Sequence, residues 1–416
     1  MWDALWHKGK LATMTEGAPT PFGLIARGAV AVQGRRIAWI GAESALPDAP
    51  AACARVVHDL GDRLLTPGLV DCHNHAVYYG DGLRDFELLT QGGTRAGMIA
   101  SGGGVQGLVR KTRAASDEQI YAASAARVAR LIANGFTTLE SKSGAGLDLS
   151  TEIRCLRIAR ELGRALPVRI VTTFLGAHGL APEYRDRPDD YVDHLCQTIL
   201  PAAVEQGLVD AVDGFCDPTG FTRAQITRLF EAARAHGLPV KLHAEQYRDY
   251  RAADLVAQFK GLSADHLEFA SEATIALMAE AGTVATLLPG AHWMMAEAQR
   301  PPVAVLRRHG VPMALATNCN PVSSPTCSAT MMMHMACRLF GLTTEEALAG
   351  FTRNGARALG LLDSRGTLEI GKLADFAIWE ADEPGELAYR IADTPCREVI
   401  KDGRPIYRSA PIQFQM

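Results

Sequence analysis

Two histidines one residue apart, His73 and His75 in "PGLVDCHNHAVYYGD", close an apolar run that reads as a β-strand. In extended backbone, side chains two apart share a face, so both imidazoles can reach one ion. Taken alone, the pair reads more readily as two polar residues where a strand meets a loop. A third histidine, His243 in "KLHAEQ", changes that balance if it arrives at the same point from another strand. Three neutral imidazoles with an open position are the donor set of a catalytic zinc or iron centre. Such an ion acidifies a bound water and polarises a carbonyl, which suits hydrolysis of a C–N bond in an amide or ring.

Positioning these side chains requires strand ends that converge. From about residue 64 onward, eight β-type runs (64–72, 137–142, 168–175, 212–216, 239–243, 264–268, 284–289 and 313–317) alternate with amphipathic helical runs such as "DEQIYAASAARVARLIANG" and "SEATIALMAEAG". Several helical runs begin on Asp, Ser or Thr and end on Gly, as capped helices do. Eight strand-then-helix repeats predict an α/β chain with a parallel sheet closed into a (β/α)8 barrel, in preference to a doubly wound open sheet. Residues 1–63 and 364–416 read as short alternating strands with Gly and Asp-Gly turns, too short separately to cover a sheet face. They predict one small composite β-sandwich beside a catalytic barrel of residues 64–363. The long connection from Tyr78 to about Ala114, with "SGGGV" inside it, is expected over the barrel mouth.

Barrel enzymes place their chemistry at the C-terminal ends of the strands. The first run ends in His73 and His75, the third in His178, the fifth in His243 with Glu245 and Gln246, the sixth in His266 with Glu268, and the eighth in Asn318 with Asn320. Five of twelve histidines thus fall at strand ends, which makes one shared site the better reading. His266 is expected to orient the attacking water or stabilise an oxyanion, and His178 to hydrogen-bond a ring oxygen. For each, the plain alternative is a satisfied histidine lining the mouth.

Composition removes several other functions. With 42 basic and 46 acidic residues, net charge -4 and no long run of either sign, nothing marks a nucleic-acid or anionic-membrane surface. No window approaches the roughly 18 apolar residues of a bilayer span, and residues 1–15 lack a secretory pattern, so a cytoplasmic location is expected. Nine scattered cysteines without a CxxC pair argue against a disulfide framework and a thiolate zinc knuckle.

Together, "PGLVDCHNH", the lone His243, "SADHLE", "ALATNCNP" and "GTLEIGKLADFAIW" resemble the metal-dependent amidohydrolase superfamily. Within it, "DFELLTQGGT", "SGGGV", "ESKSGAGL", "TFLGAHG", "KLHAEQ", "LLPGA" and "NPVSSPT" resemble the imidazolonepropionases, ring-opening hydrolases of histidine degradation. The resemblance implies a distorted barrel with a β-sandwich, a homodimer, and one divalent metal, zinc before iron, held by His73, His75, His243 and residue 318. It implies water attack on 4-imidazolone-5-propanoate to give N-formimidoyl-glutamate. The substrate-binding candidates are Tyr79, Arg84, Ala145, His178, Gln246 and Asn320, and the catalytic ones are Glu245, His266 and Asn318.

Several positions depart from the family pattern. Asn318 stands where the family has an aspartate, Gly82 at the substrate-binding arginine with Arg84 two residues on, Ala145 at a substrate-contacting tyrosine, Val322 at a glycine and Asn74 at the usual threonine. An amide can offer an oxygen ligand but cannot act as a base near neutral pH. Either His266 or Glu245 takes the proton, or the leaving group needs none. The second option points to a ring bearing sulfur at C2, which would expel hydrosulfide and yield a hydantoin. An N-methylated imidazolone is a further substrate, and a metal-poor, non-catalytic ligand-binding homologue is the reading from a different class.

Overall fold

The computed structural model describes residues 1–391 and 393–410. Strands β1 (Trp2–Ala12), β2 (Leu24–Gln33), β3 (Arg36–Ala42), β4 (Ala54–Asp59) and β5 (Leu64–Pro67) come from the N-terminal part. Strands β6 (Leu69–Asp71), β7 (Phe136–Lys142), β8 (Arg169–Ala177), β9 (Ala211–Cys216), β10 (Lys241–Ala244), β11 (Ser263–His266), β12 (Val284–Leu287) and β13 (Met313–Leu315) follow. The C-terminal part adds β14 (Phe376–Trp379), β15 (Cys396–Lys401) and β16 (Arg404–Arg408).

Strands β6 to β13 pair in sequence order, every pair parallel, with helices between them, as the eight-repeat pattern requires. Helix starts match the caps legible in the sequence. Ser116 and Thr222 each close a capping box, with Gln119 and Gln225, at the helices Asp117–Ala133 and Arg223–Ala235. The Glu272–Ala281 helix stops at Gly282, whose φ of 74° is left-handed.

Between β6 and β13 the ring is joined mainly by residues just beyond the strands. The Asn318 N–H donates to the His73 carbonyl (3.0 Å). The buried Asp71 carboxylate accepts from the Thr317 N–H (2.9 Å), the Thr317 hydroxyl (2.6 Å) and the Asn74 amide (2.6 Å). Asn74, flanked by His73 and His75, therefore faces the seam and leaves the two imidazoles free for the mouth.

The terminal sheet moves one expected boundary. The expected strand 64–72 is split at Pro67 and Gly68: β5 pairs with β1 and β14 in the terminal sheet, and only β6 belongs to the barrel. Pro67 has no N–H to continue a ladder, and a Cβ at Gly68 would press on the Thr137 side chain at 2.4 Å. The β-unit expected from both termini forms as one curled eight-stranded sheet, in the order β16-β15-β14-β5-β1-β2-β3 with β4 beside β1. It curls enough for Ile37 on β3 and Ile400 on β15 to share one apolar cluster with Trp6, Leu65 and Phe376. The connection from Tyr78 to Ala114 holds three helices, Leu83–Thr90, Arg95–Ala100 and Gly104–Ala114, and covers the mouth as expected.

Candidate functional site

At the C-terminal ends of the barrel strands lies a cavity of about 350 Å³. His75, His178, His243 and His266 line it, together with Asn318, Asn320, Gln246 and Ala145. His73 lies against this group, fully buried, its ring centroid 4.5 Å from that of His243 and 5.3 Å from that of His75. The ring nitrogens of His73, His243 and His266 fall within 4.8 Å of one another, as do those of His75, His178 and His243.

Two carboxylates fix how the rings point. The Nδ1 of His73 lies 2.6 Å from Asp265 Oδ2, and the Nδ1 of His243 lies 3.3 Å from Asp213 Oδ1. A neutral imidazole that donates from Nδ1 keeps a lone pair on Nε2. The His73 Nε2 then faces the His75 Nε2 at 3.3 Å. Two nitrogens so placed need a proton or a cation between them. A tetrahedral zinc with Zn–N bonds near 2.0–2.1 Å would set its nitrogens about 3.3–3.4 Å apart. The donor set and its spacing fit a divalent metal.

Electrostatics favour neutral imidazoles. Burial, then the Lys142 and neighbouring imidazole charges, hold the pKa of His73 and His243 well below the ordinary histidine value. Burial also lowers His266 to about 4, so this ring is an uncharged proton acceptor at neutral pH. Its Nδ1 has no hydrogen-bond partner and lies 3.9 Å from Oε2 of Glu268, also unpartnered and 2% exposed. Burial raises the Glu268 pKa to about 8.

Asn318 reaches the cavity in left-handed backbone, φ 49°. Its side-chain oxygen accepts from the Asn320 amide (3.0 Å), and Asn320 in turn accepts from the N–H groups of Val322 (2.9 Å) and Ser323 (2.8 Å).

Three expected residues stand apart from the cavity walls. Glu245 follows the last residue of β10 with φ 51°, which turns its carboxylate away to accept from the N–H groups of Ala252 and Ala253 at the start of the next helix. It caps that helix and does not face the imidazoles. Arg84 is exposed on the helix Leu83–Thr90 and does not line the cavity. Tyr79 is half-buried with its N–H on the Thr112 hydroxyl, and its neighbour Tyr78 lines the cavity instead. The residue-82 position is closed as well, because a Cβ there would fall 1.9 Å from the Pro321 carbonyl oxygen.

The carboxylates Asp213 and Asp265, with Lys142, Lys241 and Glu140, were not among the residues expected at the site. Their signal was a set of charged residues inside otherwise apolar strand runs, as in "LESK" and "AVDG".

The model of a family described as amidohydrolases matches residues 88–407. The chain belongs to the amidohydrolase family. Relatives of this amidohydrolase include an imidazolonepropionase from Ralstonia nicotianae, 52% identical over 97% of this chain and 98% of that protein. Another, from Caulobacter vibrioides, is 51% identical over 94% and 97%. Solved structures share the amidohydrolase's fold at low identity. An adenosine deaminase from Xanthomonas campestris with bound zinc aligns with TM-score 0.70 and 20% identity over 97% of this chain and 92% of that one. A 5-methylcytosine deaminase from Klebsiella pneumoniae aligns with TM-score 0.76 and 17% identity over 99% of each.

Proposed function

We propose that this chain is a metal-dependent hydrolase acting at C2 of a five-membered imidazolone-type ring that carries a propionate arm. The observation that carries the reading is the convergence of five imidazoles in a chain about half identical, end to end, to imidazolonepropionases. His73, His75 and His243 would hold the ion, zinc before iron, with the Asn318 amide oxygen as a fourth donor. A divalent ion there supplies an acidified water and polarises the ring carbon. His266, neutral and buried, accepts the proton that the water gives up, and His178, its Nδ1 3.2 Å from the Gly144 carbonyl, presents its other nitrogen to a ring oxygen. Asn320 and Gln246 offer amide groups to the substrate. The reading includes a homodimer, checked by sedimentation, and a cytoplasmic location, in keeping with nine free cysteines.

One observation favours a second substrate. Asn318 cannot return a proton to a departing ring nitrogen, and Glu245 is turned away, so acid–base capacity on the cavity side rests on His266. A 2-thioxo ring relaxes that demand: water adds at C2, the sulfur takes one of its protons and departs as hydrosulfide, the new hydroxyl gives up the other as the C2 carbonyl of the hydantoin forms, and both ring C–N bonds stay intact, so no ring nitrogen has to be protonated. The deciding experiment is a turnover panel of imidazolone, thioxo-imidazolone, N-methyl-imidazolone and hydantoin propionates, read for ring opening and for sulfide. Ring opening of the first supports the main reading, sulfide from the second supports the alternative, and metal-free protein that binds but turns over none of them overturns both. In Asn318→Asp, a rise in imidazolone opening with a fall in sulfide release would tie the choice to this one side chain.

A further inference from the structure

Beneath the imidazoles lies a buried charged layer. Lys142 ends β7, is 1% exposed, and contributes to the cavity floor. Its ammonium lies 2.5 Å from Asp213 Oδ2, 3.0 Å from Glu140 Oε2 and 3.6 Å from Asp265 Oδ2. Asp213 is the carboxylate that holds the His243 ring, and Asp265 the one that holds the His73 ring. One cation therefore bridges the two acids that aim two imidazoles arriving from β10 and from the end of β6.

Glu140 does not account for this lysine. It has Lys241 at 3.0 Å and the Thr173 hydroxyl at 2.6 Å without it. Asp213 and Asp265 are different: Lys142 is the lysine in ion-pair contact with both, Lys241 acts on them from farther off, and without the cation between them their like charges would drive them apart in this water-poor layer. A carboxylate that moves takes its imidazole with it, because the ring is held at Nδ1. We propose that Lys142 is a positioning residue, which by bridging Asp213 and Asp265 turns the Nε2 atoms of His73 and His243 toward one point. The proposal rests on the metal reading above, and it goes further by making metal capture depend on a side chain whose ion pairs go to the carboxylates behind the rings.

The test uses full-length protein stripped of metal and retitrated with zinc against a chromophoric chelator, together with 15N spectra of the histidine rings. Wild-type protein is expected to bind one zinc and to show His73 and His243 as Nδ1–H tautomers when metal-free. Lys142→Met should weaken zinc binding by about 10- to 100-fold, the usual cost of losing an outer partner of a metal site, and should broaden or mix those two tautomers. Glu140→Gln should leave both readouts within twofold. Should Lys142→Met fail to fold, the charge-balanced Lys142→Met/Glu140→Gln replaces it with the same expectation. The proposal is overturned by wild-type zinc affinity and tautomers in a folded Lys142 variant, by an equal loss in Glu140→Gln, or by Nε2–H tautomers in metal-free wild-type protein, which needs no variant. Absence of zinc binding in the wild type would instead sink the metal reading itself.

Discussion

The two ends of the cavity are built on different principles. At the imidazole end, the side chains ride on barrel strands or the few residues after them, and two of the rings are held by buried carboxylates that share one cation: His73 by Asp265, His243 by Asp213, and both acids by Lys142. At the far end, the walls are Met98, Ile99, Val105, Leu108, Tyr78, Ala145 and Val322, side chains on connecting loops and their short helices that make apolar contacts. The strand-borne end sets what reaction can occur, and the loop-borne end sets which molecule undergoes it. His266 at φ 82° and Asn318 at φ 49° are non-glycine residues in left-handed conformation where the chemistry is expected.

If the division is real, the largest effects belong to the strand-borne end. His243→Ala should abolish stoichiometric metal, measured by elemental analysis, and lower turnover on the order of a thousandfold, the equivalent of several kcal/mol of charge stabilisation. His266→Ala should lower kcat by about 10²–10⁴ while metal content stays near wild type, which separates proton transfer from metal binding. Gly82→Ala probes where the two ends meet. Its Cβ would collide with the Pro321 carbonyl and shift the turn carrying Asn320 and Ser323, so kcat/KM should fall by up to about a hundredfold with metal retained.

Glu268 sharpens the contrast through pH. With a folded-state pKa near 8 against an ordinary value of 4.5, it holds in the folded protein a proton that the unfolded chain has released. Its contribution to stability therefore declines as pH rises through that window. Glu268→Gln should reduce the loss of unfolding free energy between pH 6 and 8.5 by on the order of 2 kcal/mol, read by urea titration. The smallest effect belongs to the far wall. Leu108→Ala should raise KM about tenfold and leave kcat within twofold, and a large kcat loss there would break the comparison.

Much of the strand-borne end was legible from the sequence, because in a closed barrel the residues at and just past the strand termini gather at the mouth, and His73, His75, His178, His243 and His266 all fall there. The barrel was legible too, since eight β–α repeats leave few ways to bury parallel strands. The direction of Glu245 was not: it depends on one residue entering left-handed backbone after β10, and no side-chain pattern announces that. Tyr79 was displaced by Tyr78 for a related reason, as the chain leaves its strand at Asp71 and period-two alternation no longer applies. The layer of Asp213, Asp265 and Lys142 was hidden because a charge within a strand run reads as an interruption until its partners from other strands are known. The split of 64–72 into β5 and β6 likewise depends on long-range pairing with β1 and β14.

The hydrogen bond from the backbone N–H of residue 318 to the carbonyl of His73 is indifferent to what side chain residue 318 carries. Ring closure at the seam is thereby uncoupled from the chemical identity of that position. A carboxylate can be exchanged for an amide there without loosening the scaffold, so the chemistry of this position is free to vary while the architecture around it stays put.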